Sequence, residues 1–236
     1  VGPARLSVRY PGVFVRPDVF ATHGHYLDCL TTVPAFERLG AGAMARIEGR
    51  VPEGRAVPDD FEALLAPMYA WLDALADSRG GAWEEGREGA SASAWELLSA
   101  SGPRPLKARA IASLFPLGIA GLNRFGIGPL KAELSGDALR DAGLTAMGDV
   151  VTRLGVEADH VLFGHTHRAG PLPADDADRW RAAGGPRLYN AGCWIDEPVF
   201  ARGGPDSPYW AGRVIVVDRE GPPRVERVVS ELGRPT

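Results

Sequence analysis

The chain has 236 residues, 45% of them hydrophobic and 24% charged, which is ordinary for a soluble globular protein with one sizeable core or a core plus a subdomain. Its formal net charge of −4 argues against general nucleic-acid binding, which leaves a basic stripe. Two cysteines, Cys29 and Cys193, exclude a disulfide scaffold; each follows a motif turn, but they read first as small buried residues in a reducing cytosol.

Residues 1–33 read as strands. Arg5 to Tyr10 alternates polar and apolar as a half-buried strand does, Pro11-Gly12 turns, and Val13-Phe14-Val15 resumes the β pattern. Arg16-Pro17-Asp18 breaks it before Val19-Phe20-Ala21-Thr22, a β-prone run that ends in His23-Gly24-His25. Asp28, just beyond, reads as a polar loop residue in preference to a group that orients an imidazole. From Pro34 to Ser135 the chain turns Ala- and Leu-rich. Pro58-Asp59-Asp60 opens a helix with an acidic first turn, and Phe61, Leu64, Leu65, Met68, Leu72 and Leu75 follow at helical spacing. Gly80 to Gly89 predicts a mobile loop, with a shorter helix over Ser93 to Ala100.

Ile111 to Leu130 carries a single ionised residue, Arg124. Its glycines, with Pro116 and Pro129, make it a poor membrane span. It predicts a buried helical hairpin; the alternative is an apolar wall for a lipid-like substrate or a membrane-surface contact. Ser135 to Leu154 predicts a helix, N-capped by Ser135 and stopped by Gly155. The apolar run Val161-Leu162-Phe163 follows, as in a βαβ crossover. An exposed loop through Pro171 to Gly185, a strand through Leu188 and Tyr189, and a hairpin of Arg213–Asp218 with Arg224–Val229 complete the reading.

The histidines organise the function. All five, His23, His25, His160, His165 and His167, fall in two short clusters, each tied to an apolar run. Neutral imidazoles at two strand ends make a ready metal site. In an extended segment residues two apart share a side, which predicts that His165 and His167 project together from the strand end, where open α/β sheets place their chemistry. His160 reads as a strand-start residue.

Gly164-His165-Thr166-His167 after a buried strand, preceded in the chain by His23-Gly24-His25, resembles the calcineurin-like metallophosphoesterase family. Tyr189-Asn190-Ala191-Gly192-Cys193-Trp194 is similar to the Asn-x-Gly-Ser turn that often follows that family's last metal block. The match covers the two C-terminal blocks. The family's Asp-x-His, Gly-Asp-x-x-Asp and Gly-Asn-His blocks do not occur in this chain, and the expectation is that they lie upstream of Val1 in a larger enzyme.

The resemblance implies a metallophosphoesterase-like α/β sandwich of four layers and two mixed sheets, N-terminally incomplete. Residues 1–33 and 135–236 would form its core and 34–134 a helical cap or lid. It implies two divalent metal ions, Mn first with Fe or Zn as the other options, which clamp a phosphoester and activate water between them. His23 and His165 would ligate one metal and His167 the other. His25 is the catalytic candidate beside them, orienting a ligand or serving the leaving group, with a merely structural polar residue as the alternative, and Asn190 would brace the loop beneath. The expected substrate is a small-molecule or lipid-like phosphoester. The alternatives are a metal-dependent amidohydrolase, whose barrel also opens on His-x-His, and a non-catalytic module with too few ligands. Cytoplasmic is the default localisation, with membrane-peripheral as its variant.

Overall fold

The computed structural model describes residues 7–78, 106–133, 135–195 and 204–229. Across them the chain is a mixed α/β protein with four α-helices, a four-stranded mixed sheet and a two-stranded antiparallel sheet. It divides into two compact units, Val1–His25 with Val156–Thr236, and Tyr26–Gly155. The helix that ends at Leu154 thus belongs with the intervening unit.

In the first unit, β1 (Gly12–Arg16) and β2 (Val19–Thr22) form an antiparallel hairpin turned at Pro17 and Asp18. The Arg16 guanidinium grips the Asp18 carboxylate at 2.6 and 2.8 Å and fixes the turn. The strand expected over residues 5–10 is not found at 7–10, which are exposed and irregular; residues 5 and 6 lie outside the description. Alternation alone does not make a strand. The hairpin ladder ends at Gly12 opposite Thr22, where the chain turns into His23, so residues 7–10 have no β2 residue left to pair with.

β3 (His160–Phe163) runs parallel to β2, and β4 (Arg187–Asn190) parallel to β3, giving the order β1-β2-β3-β4. Register decides the faces. Ala21, Leu162 and Tyr189 lie side by side; Val19, Leu162 and Tyr189 form a buried core onto which Ala21, Ile215 and Val217 pack. Ile215 belongs to β5 (Arg213–Val216), which pairs with β6 (Arg224–Arg227) in the expected closing hairpin. The opposite register set, Phe20, Val161 and Leu188, is also buried. β3 is therefore buried on both faces, as its apolar run predicted. The loop from Pro171 to Gly185 is exposed for most of its length, but Trp180 and Ala182 turn inward. An Arg168–Asp175 ion pair at 2.6 Å pins its base, and the Arg168 guanidinium lies over the Trp180 ring.

The second unit is helical: α1 (Phe36–Met44), α2 (Pro58–Ser78), α3 (Leu106–Arg124) and α4 (Gly136–Leu154). α2 begins at Pro58 as predicted and buries Phe61, Leu64, Leu65 and Met68; the side chains of Leu72 and Leu75 lie outside the description. α1 approaches α2 closely at Gly40, where a Cβ would stand 2.8 Å from Met68 Sδ. Within α4, Leu144, Met147, Val150 and Val151 are buried. Ser135 caps its start by accepting from Ala138 N–H at 3.2 Å, and Gly155 closes it at φ +62°, a conformation glycine takes without strain. Ser135→Ala should cost about 1 kcal/mol, read as a lowered denaturation midpoint; no shift would deny the cap any role.

One helical expectation fails. Ile111 to Leu130 is no buried hairpin: α3 runs unbroken through Gly118 and Gly121 to Arg124, and the chain turns only afterwards. Each glycine costs a helix about 1 kcal/mol without breaking it. The outer face of α3 is exposed, Leu117 at 68%. Among the described residues no helix is long and apolar enough to cross a membrane. The loop expected over Gly80–Gly89 and the helix over Ser93–Ala100 lie outside the described residues.

Candidate functional site

The site forms where parallel neighbours β2 and β3 end together. Gly164 N–H donates to His23 O at 3.0 Å, which ties the two turns that follow the strands. Gly24, at φ +104°, makes the approach possible: a Cβ there would meet the Phe163 side chain at 3.2 Å, in a backbone conformation that side chains avoid. The tie brings three imidazoles into one cluster. Ring centroids lie 5.2 Å apart for His23 and His25, 5.1 Å for His23 and His165, and 6.5 Å for His25 and His165. His23 and His25 face each other through Nδ1 atoms 3.2 Å apart. The Tyr10 ring lies 6.4 Å from that of His25. Sequence reading missed Tyr10 as a site residue because it placed that residue in a strand.

The second turn is strained. His165 and His167 have φ of +67° and +57°, the left-handed region that costs an L-residue roughly 1–2 kcal/mol. The segment is not extended, so the rule that put both histidines on one side does not apply to it. His165 joins the His23 and His25 rings; His167 is exposed on the same turn. Asn190, at the end of β4 and almost fully buried, holds the turn in shape. Its Nδ2 donates to Gly164 O at 2.9 Å and to Thr166 Oγ1 at 2.8 Å, while its Oδ1 accepts from Gly192 N–H at 2.8 Å. One amide thus clamps the Gly-His-Thr-His turn to the Asn-Ala-Gly turn.

The remaining chemical candidates lie elsewhere. His160 starts β3, with its Nδ1 3.4 Å from Tyr189 Oη, and burial lowers its pKa below the usual imidazole value. Cys193 is buried, its sulfur bonded to the Ile195 backbone at 3.2 Å. Cys29 is buried in the helical unit, and burial pushes its thiol up to about 12, far from a nucleophile's range. Asp28 is not the loop residue expected but is buried in the 3-10 turn His25–Cys29. Its charge acts on the buried Arg38 and on Tyr69, both in the helical unit.

Chemically, the cluster offers imidazole nitrogen donors. Two ligands of a tetrahedral ion with bonds of about 2.0–2.1 Å stand roughly 3.3 Å apart, close to the 3.2 Å between His23 and His25 Nδ1. That separation also suits one shared proton. Three imidazoles bring no negative charge, and no group of three or more His, Cys, Asp or Glu side chains among the described residues is arranged to hold a metal ion. The donor set fits part of a metal site and leaves a dication without a carboxylate.

No protein-family model, curated protein or solved structure matches this chain.

Proposed function

We propose that the chain carries the C-terminal half of the catalytic face of a metal-dependent phosphoesterase, with carboxylate ligands supplied by the blocks the resemblance puts upstream. The observation that carries this reading is the convergence of His23, His25 and His165 where two parallel strands end. His23 and His165 would hold one metal ion and His167, on the same turn, a second. Such ions, when bound, lower the pKa of water and offset the charge that develops on a phosphoryl group. His25, 3.2 Å from His23, orients that ring through a shared proton and keeps Nε2 for the leaving group. Asn190 sets the height and tilt of His165 through Gly164 O. Residues 34–134 would be the cap, and the substrate is a small or lipid-like phosphoester.

A second reading, a non-catalytic module, is favoured by one observation: no group of three His, Cys, Asp or Glu side chains among the described residues is arranged to hold a metal ion. One experiment separates them. Metal content and bis-p-nitrophenyl phosphate hydrolysis are measured with Mn(II), on this chain and on a form extended upstream. The phosphoesterase reading expects about two ions and turnover in the extended form, with both lost in His165→Ala. Metal uptake that leaves phosphoesters intact sinks it, and metal binding unaffected by His165→Ala removes the assigned ligands.

A further inference from the structure

The C-terminal end of α3 bears a surface that the histidine cluster does not use. Leu114, Leu117 and Phe125 are exposed, the last at 73%, and the spacing through Gly121 sets them along one side of the helix and its end. Around Gly118 and Gly121 a Cβ would meet nothing, so this side lies open. Ile119, on the opposite side, is buried. The loop after α1 reaches the same end: Arg46 Nη1 donates to Phe125 O at 2.8 Å and Arg50 Nη2 to Gly126 O at 3.2 Å. That loop carries Ile47, exposed at 75%. The tip is stiff. Asn123 binds both the N–H and the C=O of Leu130, at 2.8 and 3.0 Å.

Charge says what covers it. Residues 114–132 contain Arg124 and Lys131 and no acid, in a chain of net charge −4. Arg46 and Arg50 add to that excess, with Glu48 the one acid between them. Large exposed apolar side chains with arginines beside them are the pattern of an interfacial anchor: the apolar groups enter the acyl boundary and the cations meet anionic headgroups. A second copy docking through the same tip would bring an equally basic rim and be repelled. We propose that this tip docks the protein onto the surface of an anionic lipid bilayer, with Phe125 and Ile47 inserted and Arg46, Arg50 and Arg124 at the headgroups. α3 lies on the surface and does not span it. The proposal is independent of the metal reading, since none of its residues belongs to the histidine cluster.

The test is co-sedimentation of the full chain with vesicles of phosphatidylcholine alone, and with about 30% phosphatidylserine, at low and high salt. Binding is expected to the anionic vesicles only and to fall with salt. The double change Ile47→Glu with Phe125→Glu should cut the binding constant at least about tenfold, and Arg124→Glu by roughly fivefold. These side chains are exposed, so circular dichroism and thermal midpoint should stay those of the parent protein. Equal binding to neutral vesicles, no binding to either, or undiminished binding by the variants each overturns the proposal. So does a dimer in light scattering that Phe125→Glu dissociates without any vesicle binding.

Discussion

Asn190→Ala should destabilise the sheet-bearing unit by about 3 kcal/mol and disorder the turn that presents His165. Three hydrogen bonds end on this one amide, at Gly164 O, Thr166 Oγ1 and Gly192 N–H. A buried group left without its partner costs about 1–3 kcal/mol, less where water can reach it; here the partners are half-buried while Asn190 itself is 1% exposed. The strain at His165 and His167 acts in the same direction, because their left-handed backbone persists only while something holds it. Asn190→Asp is the sharper variant. It keeps size and the acceptor for Gly192 but cannot donate to Gly164 O. Denaturant unfolding and amide exchange at Thr166, whose N–H donates to Gly164 O at 2.8 Å, are the measurements. A companion change, His167→Gly, should recover up to about 1 kcal/mol by removing the φ penalty. If Asn190→Ala leaves stability and Thr166 exchange where they were, the clamp carries no weight.

How much of this was readable follows the range of the forces involved. Burial on both faces of β3 was legible because Val161-Leu162-Phe163 is an uninterrupted apolar run. The extent of α4 was legible because its cap and its stop, Ser135 and Gly155, are local. The pairing of two histidine clusters was legible as grammar, a β-prone run and then His-Gly-His or Gly-His-Thr-His. Their geometry was not. The turn that holds two histidines at left-handed φ is bonded to Asn190, which lies 23 residues beyond His167 in the chain. No periodicity announces it. The strand expected at residues 5–10 failed for a related reason: alternation is local, but a partner strand is not. α3 looked buried because it is apolar; whether anything covers it depends on tertiary contacts that composition does not contain.

Above pH 9 the helical unit should lose stability, and Phe61→Ala should remove about 3–5 kcal/mol at any pH. Both effects come from one place. Phe61 is fully buried at the start of α2 and stacks on Tyr26 with centroids 4.6 Å apart and planes within 8°. Its carbonyl lies 3.8 Å from Cys29 Sγ, the acceptor of the thiol's S–H. Truncation leaves a cavity under the Tyr26 ring and loses the stacking as well. The same burial governs the pH limb. It raises the Cys29 thiol from its ordinary value near 9 to about 12, and the Tyr26 hydroxyl from near 10 to about 12. With folded values above unfolded ones, the unfolded chain releases these protons first. The stability tied to them is intact below pH 9 and is lost from pH 9 for Cys29 and pH 10 for Tyr26 up to about 12. Denaturant midpoints taken from pH 7 to 11 should therefore decline from pH 9 in the parent protein. Cys29→Ala should delay the onset to near pH 10, and Tyr26→Phe should flatten the part above it. A Cys29→Ala protein that still declines from pH 9 as the parent does would mean that other groups set the alkaline limb.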